Sequence, residues 1–302
     1  MLFSHRTFWL PKDVQEPQGY EDAFQVDELR GRAAICDGVS TSLFSGRWAS
    51  ILAKAVVDGP PNVRDSVSLG QWLKHQRDVW SSSIDEHALA WHQKPKLLEG
   101  AGTTLLWVEV TGSKSSDGTE LPKRLRCYSI GDCCLFHIRS NQVLETFPLQ
   151  ESARFEENPQ VLRSVLKRSE QIEFEAMETF CHPGDLVVLA SDAVASWTMR
   201  QIEAGVDIDW QAYWQLSRED WQQWMVELRQ DHQIRYDDST VILLRISGET
   251  RSDRPSSTRS GERLLEQADT AVRGALKSLK VGLRRGLQDL ADSKWLKDDR
   301  SK

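Results

Sequence analysis

Residues 185–192, DLVVLASD, decide how the rest of this 302-residue chain reads. Asp185–Ala190 (DLVVLA) contains an unbroken apolar run with no period-two alternation, which predicts a short strand buried on both faces. The run stops at Ser191-Asp192, so a carboxylate stands where a buried strand ends. An acid in that position is costly to leave unpaired. The pattern recurs outward along the chain. Glu21-Asp22 precedes AFQV, Asp37 ends RAAIC and precedes Gly38, Asp132 follows CYSIG, and Asp237-Asp238 opens onto STVILLRI. One such residue is a cap or a turn former; five separate sites beside apolar strands point to a shared cation. The donors are all oxygens, and none of the seven histidines occupies an equivalent place. Oxygen-only sets select hard ions, so Mg²⁺ or Mn²⁺ is expected over Zn²⁺.

Between these points the chain mixes strands and helices. Gly31–Ile35 reads as a strand, Phe44–Val57 and Ser68–Trp91 as helices, and Thr103–Val110 as a strand followed by a hairpin-type loop over Ser113–Thr119. Arg126–Ile138 reads as a strand broken or bent at Gly131-Asp132, and Glu151–Glu170 as irregular to helical. Ser217, with Asp220 three residues on, predicts an N-cap for the helix REDWQQWMVELR, and Thr240–Ile246 predicts a last strand. Trp221, Trp224 and Leu228 fall at helical spacing and read as a core-facing stripe. The expected division is a domain over residues 1–247, a Ser/Arg/Asp/Gly-rich linker over 248–261 and an amphipathic helix over 262–302. On that helix Leu265, Ala268, Val272, Ala275, Leu279, Leu283, Gly286 and Leu290 form one face, which reads as a surface for protein association.

Net charge is −7, divided as −11 over residues 1–247 and +4 over the remainder. The acidic body argues against nucleic-acid binding. No run of eighteen apolar residues is present, so no membrane span is expected. The five cysteines, odd in number and without a Cys-x-x-Cys pair, read as buried free thiols in a reducing, cytoplasmic setting.

Six segments sharpen this reading: Glu21-Asp22-Ala23, Asp37-Gly38, Gly102-Thr103-Thr104, Ile130-Gly131-Asp132, Leu189-Ala190-Ser191-Asp192 and Asp237-Asp238-Ser239-Thr240-Val241. In wording and order they resemble the PPM/PP2C family of metal-dependent protein serine/threonine phosphatases in its bacterial-type form, over about residues 20–246. The resemblance implies an α+β fold, a four-layer αββα sandwich of two antiparallel sheets flanked by helices. It implies metal-dependent hydrolysis of phosphoserine or phosphothreonine on proteins, with a cognate kinase as the opposing activity. Asp37 would bridge two metals, Gly38 would offer its carbonyl to the second, and Asp192 and Asp237 would complete the first. Glu21 or Asp22 would hold the second metal, directly or through water. Asp132 resembles the residue that forms a third, weaker site with Asp192. The cofactor implied is Mn²⁺ or Mg²⁺, two ions with provision for a third. The segment from about Leu149 to Leu166 lies where the family carries its variable flap.

Departures from the family pattern are specific. Ser40-Thr41 replace a glycine pair, Cys133 replaces a serine, and Val39 stands where some eukaryotic members carry a histidine. Ala193 replaces a glycine, which is tolerable only at negative φ. The phosphate-binding arginine is absent, since Val14–Tyr20 contains none; Arg6, Lys12 and Arg47 are the substitutes to consider. These departures keep a second function open, a PP2C-like pseudophosphatase acting as a regulatory or phosphoprotein-binding module. An unrelated carboxylate-metal hydrolase is a third possibility that the order of the segments disfavours.

Overall fold

The computed structural model describes residues 1–112, 121–166 and 172–248; the expected loop at 113–119, the linker and the C-terminal helix lie outside them, apart from Gly248. The strands are β1 (Phe3–Leu10), β2 (Ala23–Asp27), β3 (Arg32–Cys36), β4 (Gly102–Thr103), β5 (Leu105–Thr111), β6 (Lys123–Ile130), β7 (Cys134–Arg139), β8 (Gln142–Phe147), β9 (Leu162–Arg163), β10 (Glu175–Cys181), β11 (Leu186–Ala190) and β12 (Ser239–Ile246). The helices are α1 (Ser45–Asp58), α2 (Ser66–Ser82), α3 (Lys94–Glu99), α4 (Asp192–Glu203), α5 (Trp210–Gln215) and α6 (Arg218–Gln230).

One sheet has the order β1-β12-β11-β7-β8 and the other β10-β6-β5-β3-β2, with every pairing antiparallel. Three apolar layers follow from the alternation along each strand. Between the sheets lie Ile35, Leu106, Val108, Val187, Leu189, Ile242 and Leu244. Outside the first sheet, Val188, Ala190, Val241 and Leu243 meet Trp197, Trp221 and Trp224 of α4 and α6. Outside the second, Ala34, Leu105 and Trp107 meet Trp48 and Leu52 of α1 and Leu73 of α2. Each central strand is therefore sandwiched, and period two disappears from DLVVLA and STVILLRI because both sets of alternate side chains are covered. The result is the expected αββα sandwich.

The strand expected to be broken or bent at Gly131-Asp132 is broken there, and its halves, β6 and β7, belong to two different sheets. Gly131 makes the crossing at φ +103°, and a Cβ there would lie 2.5 Å from Thr104 Cγ2. The expected helix over Ser68–Trp91 ends at Ser82; the Ser83 hydroxyl donates back to Trp80 O at 2.7 Å, a local bond that competes with continuing the helix. The capping expectation holds: Asp220 N donates to Ser217 Oγ at 3.0 Å, and Trp221, Trp224 and Leu228 are buried. Among the described residues no helix is long and apolar enough to cross a membrane.

Candidate metal centre and active site

The strand ends bring the acidic residues to one end of the sandwich. Asp37 follows β3 directly. Its amide donates to Thr104 Oγ1 at 3.0 Å, and its carbonyl accepts from Thr103 Oγ1 at 2.7 Å and from Thr104 N at 2.9 Å. The Gly-Thr-Thr segment thus fixes the backbone that presents the Asp37 carboxylate. Gly38 comes next because nothing larger fits: a Cβ would lie 2.6 Å from the carbonyl oxygen of Glu21. That close approach sets the 21–22 segment beside Asp37.

Asp192 begins α4, and its neighbour Ser191 staples the ends of β11 and β12. Ser191 Oγ accepts from Thr240 N and Ser191 N donates to Thr240 O, both at 3.0 Å. Thr240 Oγ1 donates to Asp22 Oδ2 at 2.6 Å, which holds Asp22 in the same corner. Ala193 lies inside α4 and is not among the positive-φ residues, so the replaced glycine introduces no strain.

Asp237 and Asp238 separate into two roles. Both oxygens of Asp238 accept backbone amides, from Lys12 at 2.7 Å and from Glu21 at 2.6 Å. The Asp237 carboxylate accepts only through Oδ1, from Asp238 N at 2.9 Å, among the described residues. The backbone carbonyl of Asp237 is gripped by Arg229 Nη2 at 2.6 Å. Asp238 is therefore a structural clamp, and Asp237 faces the cluster with a free oxygen.

The electrostatics mark these groups as one assembly. Burial first, then Asp22, Asp192, Asp132 and Asp237, hold Asp37 well above the usual carboxylate range. Asp22 is raised by burial and by Asp238 and Asp192, against a hydrogen bond from Thr240 that lowers it. Asp132 is pushed up to about 7 by burial and by Asp192. Burial also raises Asp192, which Arg235 opposes. Two oxygens complete the picture: Asp22 Oδ1 and Asp192 Oδ1 are buried with no hydrogen-bond partner. Buried carboxylate oxygens are seldom left unsatisfied. An all-oxygen set of mutually repelling acids with orphaned acceptors fits a hard divalent cation.

The thiols beside the acids take no part. Cys36 and Cys133 are fully buried, and burial raises both thiols well above their ordinary range, so they are neutral packing groups. A second cluster, His137, Cys181 and Asp185, has metal-ligand spacing at the other end of the first sheet. Its carboxylate is already filled, accepting from Arg139 Nε at 2.8 Å, Arg139 Nη2 at 2.7 Å, His182 N at 2.8 Å and His137 Nε2 at 2.9 Å. Burial would raise Asp185, but Arg139, the His182 amide and His137 hold it below the usual range. The cluster is an ion-pair network.

Of the three cations considered for the phosphate, only Lys12 reaches the site. Its Nζ donates to Glu21 Oε2 at 2.9 Å and to Ser40 Oγ at 2.8 Å. Arg6 is committed to Trp214 O at 2.6 Å and Arg47 to the carbonyl of Ser83. Glu21 is fixed from its other side by the Ser45 hydroxyl. Residues of the 149–166 segment line a cleft next to the cluster. A cleft of about 300 Å³ opens beside Asp132, lined by Gly131, Leu149, Arg154, Glu157, Gln160 and Glu175. A larger apolar cleft of about 1000 Å³, lined by Leu69, Leu73, Arg77 and Leu97, shares no residue with the acidic cluster. Sequence reasoning missed Arg235, which sits on Asp192, and the buried hydroxyls of Ser191 and Thr240. The hydroxyls lie inside quoted segments; Arg235 carried no signal beyond being two residues from Asp237.

No family model and no curated protein matches the chain. Solved structures do. A bacterial serine phosphatase matches at 15% identity over 82% of this chain and 99% of its own, with a TM-score of 0.51. The catalytic domain of the serine/threonine protein phosphatase PstP, in complex with two manganese ions, matches at 15% identity over 82% and 99%, with a TM-score of 0.50. The serine/threonine phosphatase Stp1 from Staphylococcus aureus matches at 16% identity over 82% and 96%, with a TM-score of 0.50.

Proposed function

The chain has the fold of the PPM-type serine/threonine phosphatases, and from that premise we propose that it hydrolyses phosphoserine and phosphothreonine on protein substrates at the acidic end of the sandwich. The observation that carries this reading is the pair of buried, unbonded oxygens, Asp22 Oδ1 and Asp192 Oδ1, within a cluster of five aspartates. Asp37, Asp192 and Asp237 are the core of the proposed metal set. Glu21, Asp22 and the Gly38 carbonyl serve a second ion, and Asp132 flanks Asp192. Two Mn²⁺ or Mg²⁺ ions at such a centre supply the charge that activates a water and offsets the negative charge of a phosphoryl group.

The chain's own residues supply position. The Thr103-Thr104 backbone and hydroxyl contacts hold Asp37 rigid. The Ser191–Thr240 staple holds Asp22 and Asp192 on facing elements. Lys12 stands at the mouth with its side chain 31% exposed, a cation able to grip a phosphoryl oxygen in place of the absent arginine. Val39 offers no acid, so the leaving group takes its proton from water. The enclosing wall beside Asp132, residues 149–160, meets the substrate chain.

Turnover of p-nitrophenyl phosphate and of a phosphothreonine peptide with Mn²⁺ tests the reading, with EDTA and Asp192→Ala as controls. Metal-dependent turnover abolished by both controls is the expected result. A folded protein that binds phosphopeptide but turns over nothing at any Mn²⁺ or Mg²⁺ concentration would establish the pseudophosphatase instead. The kinase that supplies the substrate and the protein partner of residues 262–302 belong to the same proposal.

A further inference from the structure

Arg235 is not accounted for by these roles. Its Nη1 donates to Asp192 Oδ2, and its Nη2 donates to the carbonyl of Phe155 at 3.0 Å. Asp192 is thereby divided, with Oδ2 held by the guanidinium and Oδ1 buried without a partner. Asp132 lies in the same field, since the Arg235 charge opposes the upward push of burial and of Asp192 on its carboxyl. A guanidinium keeps its charge at every accessible pH, and its planar fork satisfies a carboxylate and a carbonyl together. A charge balance follows. With Asp238 set aside on its two backbone amides, the five aspartates and Glu21 carry −6 when ionised; two divalent ions, Arg235 and the Lys12 paired with Glu21 carry +6.

We propose that Arg235 is a built-in cation of the centre: it holds the Asp132 side of Asp192, confines dissociable divalent ions to the side of Asp22, Asp37 and Asp237, and ties the 152–156 turn to the cluster. The proposal rests on the metal-centre reading above and decides what that reading left open, the number of ions. Arg235 is a positioning residue under this proposal. It acts through Asp192 and the Phe155 carbonyl.

Counting Mn²⁺ at equilibrium, by calorimetry and by the electron paramagnetic resonance signal of the free ion, tests it. The wild-type chain should bind two ions. Arg235→Ala should bind three, the extra one at least tenfold more weakly, and should be cut several-fold faster by protease within residues 150–160. Arg235→Lys should restore two ions. Arg235→Gln, which removes the charge but keeps a donor for Phe155 O, should bind three ions while the turn stays protected, and it serves if the alanine variant does not fold. Three ions on the wild-type chain, or an unchanged count in Arg235→Ala and Arg235→Gln, overturns the proposal and leaves the metal centre standing. No Mn²⁺ bound by a wild-type chain that melts cooperatively overturns both.

Discussion

Through Oδ2, Asp238 accepts the backbone amide of Glu21 at 2.6 Å, and through Oδ1 that of Lys12 at 2.7 Å. One buried carboxylate thus stitches the segment after β1 to the segment before β2, while Asp237 beside it faces the cluster. The two neighbours should part cleanly on substitution. Asp238→Ala removes two charge-assisted bonds and should cost about 2–4 kcal/mol in denaturant unfolding. Asp237→Ala should leave the unfolding midpoint nearly unchanged and lower Mn²⁺-dependent turnover by roughly a hundredfold or more. Equal stability losses in the two variants would contradict the division of roles.

Gly38 is the point of closest backbone approach between the Asp37 turn and the 21–22 segment. Gly38→Ala places a methyl 2.6 Å from Glu21 O and must push the two apart. The expected cost is about 1–3 kcal/mol by the usual scale for overpacking. Metal affinity should fall with it, because Glu21 and Asp22 move away from Asp37. Mn²⁺ titration and urea unfolding on the same variant check both effects.

Metal-free protein should lose stability as pH rises. Asp37, Asp22, Asp192 and Asp132 all have folded-state values raised above the ordinary carboxylate, so the folded state holds protons that the unfolded state releases. Stability is therefore highest below the ordinary value of 3.8 as far as these groups are concerned, and Asp132 completes its loss only near 7. Thermal melts in EDTA should give a lower Tm at pH 7.5 than at pH 5. Saturating Mn²⁺ should shrink or reverse the difference, since a bound cation favours the ionised acids. Melts that are flat with pH in EDTA would show that the acids are not crowded together in solution.

Lys12 is held by Glu21 and Ser40 at the mouth, with part of its side chain in solvent. Lys12→Ala should reduce kcat/KM for a phosphopeptide by roughly 10–100-fold, the range of one charge-assisted bond. Lys12→Arg should retain most of the rate. Steady-state kinetics at two salt concentrations check it, and the unsubstituted chain should show the steeper salt dependence.

The parts of this fold that were legible are those where burial is complete. DLVVLA and STVILLRI could be read as sandwiched strands because both faces are covered, and the acids at their ends stood out against apolar surroundings. The edge strands β8 and β10 left no such trace, because their outward positions are exposed and few of their side chains are buried. The division of residues 126–138 between two sheets was hidden for a different reason. An apolar run is the same whether it bends or crosses, and only Gly131 in its left-handed conformation marks the change. In the site, acids next to strands were readable as a set. Arg235 was not, since a loop arginine becomes informative only when its reach across the fold to Asp192 and Phe155 is known.

The direction of β12 has a consequence for how the molecule would be held. The strand starts at Ser239, beside Asp237 and Asp238, and runs to Ile246, which pairs with Phe3 at the start of β1. Eight strand residues span about 25 Å, and Lys123 fixes the carbonyl of Ser247 at the far side. The first strand of the domain and its last described residues therefore meet behind the molecule, with the carboxylates in front. An anchor joined at Ser247 would act like a stalk under a cup, setting where the domain stands while the acidic mouth points away from the point of attachment.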